Sequence, residues 1–135
     1  MADKVAFELV TPERILTTAE ADMVVAPGGD GNFGVLPGHA PLLSTLRPGI
    51  VDIYEGDAVT GRIFVAGGFA EVSEVGFTVL AEEAVEIDNI DTAQAAERLT
   101  AAREALTAAQ AEEEGVAAAE AEVKVAEALV EAAGG

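Results

Sequence analysis

The feature that most constrains this chain is an abrupt change of composition near residue 90. Eleven of the fourteen glycines, all five prolines and all six aromatic residues (Phe7, Phe33, Tyr54, Phe64, Phe69 and Phe77) lie before it. The remainder is rich in alanine, glutamate, leucine and valine, with no proline and no aromatic ring. Glycine and proline cut a chain into short segments, whereas alanine has the highest intrinsic helix propensity. The contrast predicts a β-rich body over residues 1–88 and a helical domain over 89–135.

The first part alternates. Val5, Phe7 and Leu9 fall on one side of a strand over residues 3–10, with Ala6, Glu8 and Val10 on the other, and Thr11-Pro12 closes it. Further strands are predicted over 14–20, 22–26, 41–46, 50–54, 62–66, 69–72, 77–80 and 84–87, with a short extended piece at 33–36. Glycine and proline turns separate about ten segments, the spacing of an antiparallel sandwich or barrel. Residues 31–43, GNFGVLPGHAPLL, hold three glycines, two prolines and the only histidine, and read as a shaped loop with little regular structure.

In the second part Asp91 reads as an N-cap with Gln94 as its capping-box partner. Ala95, Leu99, Ala102, Leu106 and Ala109 define one helix face, and Val116, Ala119, Val123, Ala126, Val130 and Ala133 define another. Gly115 is the expected break and Gly134-Gly135 the expected end, so two helices pair as an antiparallel hairpin. Burying a Leu or Val side chain contributes roughly 1.5 to 3 kcal/mol and each missing methylene removes about 0.8. The alanine-rich seam therefore predicts a hairpin weakly held against the β body and able to move.

Bulk properties exclude several classes of function. Without cysteine there are no disulfides, thiolate metal sites or cysteine nucleophiles, and a single histidine argues against a histidine-rich zinc site. A net charge of −18, from 25 acids and 7 bases, repels nucleic acid and anionic lipid. No stretch has the length and apolarity of a membrane span or signal peptide, which predicts a soluble, cytosolic protein without direct membrane insertion.

Gly28-Gly29-Asp30-Gly31 superficially suggests a phosphate loop, but Asn32-Phe33-Gly34 comes next, where a Walker loop needs Lys-Ser/Thr and a helix. EF-hand spacing is not met either. These residues read as a turn or surface loop. His39, between Gly38 and Ala40-Pro41, has no Ser or Cys nucleophile arranged nearby and reads as a residue that hydrogen-bonds backbone and fixes a turn. Glu112-Glu113-Glu114 and the outer helix acids read as solvated surface. No catalytic site and no metal or cofactor site emerges, and the pattern fits an interaction protein better than an enzyme. Two rivals are a free-standing ligand-binding sandwich, its glycine-rich loop holding a sugar or metal, and a small hydrolase using His39 with Asp30.

Residues 31–49, GNFGVLPGHAPLLSTLRPG, resemble the most specific segment of the epsilon subunits of the F-type (proton-translocating) ATP synthase. ELVTPERIL near the start, FVAGGFAEV over 64–72 and the helical hairpin extend the resemblance along the chain. It implies a ten-stranded antiparallel β-sandwich followed by a two-helix hairpin, in a non-catalytic subunit that bridges the gamma subunit to the ring of c subunits. Catalysis would then belong to alpha and beta, within reach of the C-terminal helices. The implied location is peripheral, on the cytoplasmic face of the bacterial inner membrane. The implied ring-facing loop is Gly28, Gly29, Asp30, Gly31, Asn32, Phe33 and Gly34, shaped by Pro37, Gly38, His39 and Pro41. Asn32 stands where the family often has an acid, so Asp30 or a hydrogen bond would replace that charge contact.

Two departures from the family limit the tail. Where some members bind ATP through Ile-Asp-x-x-Arg-Ala, this chain has Glu114-Gly115-Val116-Ala117-Ala118-Ala119, so no nucleotide binding is expected. After residue 90 there are ten acids and three bases (Arg98, Arg103 and Lys124), a net charge near −7. Tail-mediated inhibition through basic residues is therefore expected to be weak.

Overall fold

A computed structural model describes residues 3–134; Met1, Ala2 and the predicted helix-ending Gly135 lie outside the described residues. The chain divides into two compact units, Met1–Glu86 and Ile87–Gly135.

Among the described residues unit one contains ten strands: β1 (Val5–Thr11), β2 (Arg14–Ala21), β3 (Met23–Gly28), β4 (Gly31–Val35), β5 (Leu42–Leu46), β6 (Gly49–Glu55), β7 (Ala58–Val65), β8 (Gly68–Ser73), β9 (Gly76–Ala81) and β10 (Ala84–Glu86). Their hydrogen-bonded order is β10-β7-β6-β3-β5-β8-β9-β1-β2, with β4 paired to β3. The ladder narrows to one bridge, Gly28 to Leu46, between β3 and β5. Inward residues from the strands on both sides of that bridge form one buried cluster, including Phe7, Leu9, Val24, Val51, Ile63, Phe77 and Val79. This is the sandwich that the alternation predicts: period-2 apolar residues bury one face of each strand.

The sheet is antiparallel as expected, with one parallel pair, β1 beside β9. No tight turn joins these strands, so nothing local imposes an antiparallel pairing. The observed register sets Phe7 beside Phe77 and Leu9 beside Val79, so inward residues lie next to inward residues. The two rings meet at a centroid distance of 5.6 Å and tilted by 52°, within the preferred range for aromatic pairs.

The segment at 31–43, expected as a loop with a short extended piece at 33–36, is more regular at its start than that reading allows. Its first part is strand β4, folded onto β3 by a two-residue turn, Gly29-Asp30, with Asn32 opposite Pro27 and Phe33 opposite Ala26. Proline lacks a donor, yet the Pro27 carbonyl still accepts from Arg47 N at 2.9 Å. The glycines serve close approach here: a Cβ added at Gly28 would lie 2.6 Å from the Gly31 carbonyl oxygen.

Unit two opens with one 3₁₀ turn (Ile87–Asn89) and continues with α1 (Thr92–Glu112) and α2 (Val116–Gly134). Asp91 caps α1, its side chain accepting from Gln94 N at 3.0 Å. The helix ends in a left-handed residue, Glu113 (φ 55°), and the break runs through the expected Gly115 (φ 72°) before α2 begins. Glu113 N and Glu114 N bond back to Gln110 O and Ala109 O, the pattern of a Schellman close. In α1 the expected face is the inward one, with Ala95 and Ala102 buried. In α2 the deepest positions are Ala126, Leu129 and Ala132, so Leu129 and Ala132 replace the expected Val130 and Ala133. Apolar residues surround much of α2, and periodicity alone could not choose between adjacent stripes.

Candidate functional site

The glycine-rich segment forms a hairpin tip. Gly28 ends β3, Gly29 and Asp30 make the turn, and Gly31, Asn32, Phe33 and Gly34 lie along β4. Asp30 is exposed at that turn. Asn32 is also exposed, but its Oδ1 accepts from Arg47 Nη2 at 2.6 Å. Phe33 belongs to the core: its ring packs against Phe77 at 6.2 Å and against the buried cluster. The predicted surface segment therefore presents backbone and Asp30 outward, and not the Phe33 ring.

Pro37, Gly38, His39 and Pro41 come after the other end of β4. His39 N donates to Leu36 O at 3.1 Å, closing a turn in which Gly38 takes φ +79°. Pro37 before a glycine in that conformation is the pattern of a type II turn. His39 Nδ1 lies 2.6 Å from Ala40 O. A carbonyl only accepts, so Nδ1 carries the proton and the ring holds local backbone. Asp30 and His39 sit beyond opposite ends of β4, a five-residue strand. At about 3.4 Å per residue that strand spans roughly 17 Å. The hydrolase pairing of His39 with Asp30 is thereby overturned.

An open groove of about 450 Å³ runs beside this turn, lined in part by Leu36, Pro37, His39, Val75 and Lys4. The Lys4 ammonium is engaged with Asp22 Oδ1 at 2.7 Å. Asp22 also accepts from Gly56 N. The Lys4 hydrogen bond first, and the Gly56 N–H second, hold the Asp22 carboxyl below its ordinary value. Among the described residues no polar or charged side chain is buried.

The outer face of the β5-β8-β9-β1-β2 strands is a different kind of surface. Thr45 pairs with Phe69, Phe69 with Leu80, Leu80 with Val10 and Val10 with Ile15, giving one continuous cross-strand row. Phe69, Leu80 and Ile15 are 54%, 51% and 57% exposed, and Leu43 in the adjoining row is 74% exposed. That adjoining row also carries Glu71, Thr78 and Glu8. A contiguous apolar stripe with polar neighbours, on a chain of net charge −18, has the composition of a protein-binding face. Alternation in the sequence does not single out these residues, because each strand contributes only one or two outward apolar residues and the pairing of strands brings them into one row.

In unit two, Arg98 donates from Nε to Glu122 Oε2 at 2.8 Å and from Nη2 to Oε1 at 3.2 Å. Arg103 Nη2 stands 3.5 Å from Glu127 Oε2. Two of the three cations after residue 90 are thus engaged inside the hairpin.

Residues 4–87 match the family described as ATP synthase, Delta/Epsilon chain, beta-sandwich domain. The ATP synthase epsilon chain of Rhodospirillum centenum is 56% identical over 110 residues, covering 77% of this chain and 75% of its own. That of Paramagnetospirillum magneticum is 50% identical over 104 residues, covering 77% and 78%. Among solved structures, a chain of the Euglena gracilis mitochondrial ATP synthase (OSCP/F1/c-ring) superposes with a TM-score of 0.80 at 24% identity, covering 98% of this chain and 82% of that one. A chain of the Tetrahymena thermophila mitochondrial ATP synthase central stalk and c-ring gives 0.55 at 17% identity, covering 66% and 71%. At these identities the structural matches establish the shared fold.

Proposed function

The chain belongs to the ATP synthase epsilon-chain family, and from that premise we propose that it is a mechanical part of the central stalk, joining the gamma subunit to the c ring. The exposed row Phe69–Leu80–Val10–Ile15 carries this reading. An isolated domain gains nothing by leaving such a stripe in water, whereas a partner that covers it gains roughly 25 cal/mol for each Å² of apolar surface buried. We assign this face to gamma and the Gly29-Asp30 tip to the ring. A partner meeting the tip would supply hydrogen-bond donors or a cation to Asp30 and acceptors to the turn amides.

On this reading the chain performs no bond chemistry, and alpha and beta hold the catalytic sites. The β domain (residues 1–88) does the coupling, and the helical domain (89–135) modulates hydrolysis weakly, its arginines being committed to Glu122 and Glu127. Attachment at the cytoplasmic face of the membrane would be peripheral and made through partners. Among the described residues no helix is long and apolar enough to cross a membrane.

Co-purification with tagged gamma tests the proposal. The native chain should form a stable complex with gamma, and Phe69→Asp with Leu80→Asp should abolish it while leaving a folded domain. Recovery of the double variant with gamma at native yield would overturn the assignment of this face.

A further inference from the structure

Arg47 lies in the short link between β5 and β6, and three of its hydrogen bonds run to the β3–β4 hairpin. Its backbone N donates to Pro27 O at 2.9 Å. Its Nη1 donates to Gly28 O and its Nη2 to Asn32 Oδ1 at 2.6 Å. One guanidinium therefore grips both strands, the backbone of β3 and a side chain of β4.

This grip matters because of where β4 sits. Among the described residues its only strand neighbour is β3. Beyond that ladder it is held on its inner face by the fully buried Val35 and the Phe33 ring, and on its exposed side by the Arg47–Asn32 contact. A planar fork with five donors can satisfy two separated acceptors at once, which a lysine ammonium on a flexible stem does less well. Both acceptors are neutral and do not titrate, so the grip persists across the physiological pH range.

We propose that Arg47 is a positioning residue of the hairpin tip, acting beside the Gly29 N–H bond to Thr45 O at 2.9 Å. It fixes Gly29-Asp30 in the attitude presented to the partner, and it withdraws the Asn32 amide oxygen from that partner, leaving the Asp30 carboxylate as the contacting charge. The partner contact rests on the function proposed above; the grip itself is a property of the chain alone.

Hydrogen exchange of the full chain reads the grip. Arg47→Ala should speed exchange of the amides of residues 29–34 by about tenfold or more, the effect of losing hydrogen bonds from a charged donor, with β6 and β9 unchanged. Arg47→Lys should fall between, and Asn32→Asp, which adds a negative charge to the acceptor and so turns the contact into an ion pair, should exchange no faster than the native chain. In reconstituted ATP synthase, Arg47→Ala should lower ATP-driven proton pumping per ATP hydrolysed several-fold while gamma co-purifies normally, and Asp30→Ala should do the same.

Unchanged exchange at residues 29–34 in Arg47→Ala overturns the grip. Faster exchange with full coupling, when Asp30→Ala does impair coupling, overturns the positioning role. Full coupling in both variants instead removes the tip from the partner contact, which is a failure of the proposed function and leaves the grip standing on the exchange data.

Discussion

Arg98 on α1 and Glu122 on α2 meet through two hydrogen bonds, at 2.8 and 3.2 Å, and so join the helices side to side. The Arg98 hydrogen bond, reinforced by its charge and opposed by partial burial, holds the Glu122 carboxyl below its ordinary value. A carboxylate depressed in the folded state stabilises at pH above its unfolded value, and that contribution disappears as pH falls through the folded value. Glu122→Gln should therefore weaken the hairpin at pH 7 by about 0.2–1 kcal/mol, the range for partly exposed pairs. The deficit should vanish in acid below the folded carboxyl's pKa. Helical amide exchange in native and variant chains across that pH range measures both effects.

Glu113 occupies a left-handed conformation, φ 55° and ψ 36°, in which a Cβ is unfavourable. Glu113→Gly should stabilise the α1–α2 turn by about 0.5–1 kcal/mol, after allowing for the greater freedom of glycine in the unfolded chain. Thermal unfolding should shift upward, and a fall in Tm would contradict the assigned backbone.

Gly28 has no room for a side chain, since an added Cβ would meet the Gly31 carbonyl oxygen at 2.6 Å and the Phe33 ring at 2.9 Å. Gly28→Ala should cost about 1–3 kcal/mol by forcing the hairpin strands apart. Denaturant titration measures the cost, and a neutral result would show that the turn opens elsewhere.

Phe69 is half exposed in the free chain, so truncating it should alter stability little. In a complex it would sit in the centre of the proposed gamma face, where an aromatic anchor commonly contributes about 2 kcal/mol or more. Phe69→Ala should leave the Tm nearly unchanged and weaken gamma binding by roughly thirtyfold or more in a titration. Equal affinity for native and variant would place gamma on a different surface.

Deletion of residues 91–135 removes a segment of net charge near −7 whose arginines are occupied internally. ATP hydrolysis by the assembled enzyme should change little on deletion. A large rise in rate would show that the tail inhibits by means other than its cations.

Much of the fold is legible in the sequence. The strand run from Val5 to Leu9, the Asp91 cap and a helix break close to Gly115 all depend on residues within a few positions of one another, where alternation, capping and turn chemistry act. The candidate site was less legible. Glycine and proline make residues 31–43 read as a loop with one short extended piece at 33–36, yet Gly31–Val35 is a strand once β3 supplies its partner. Phe33 looked available to a partner until Phe77, far along the chain, claimed its ring.

What the chain determined by itself was its two-part division, the number and order of its segments and its acidic character, because each depends on composition or short-range pattern. Tertiary structure alone decided that β1 lies parallel to β9, that Phe69, Leu80 and Ile15 share one exposed row, and that Arg47 reaches Asn32. Those outcomes depend on contacts between residues tens of positions apart. They are selected by matching buried faces and satisfying distant hydrogen-bond donors, which no local periodicity encodes.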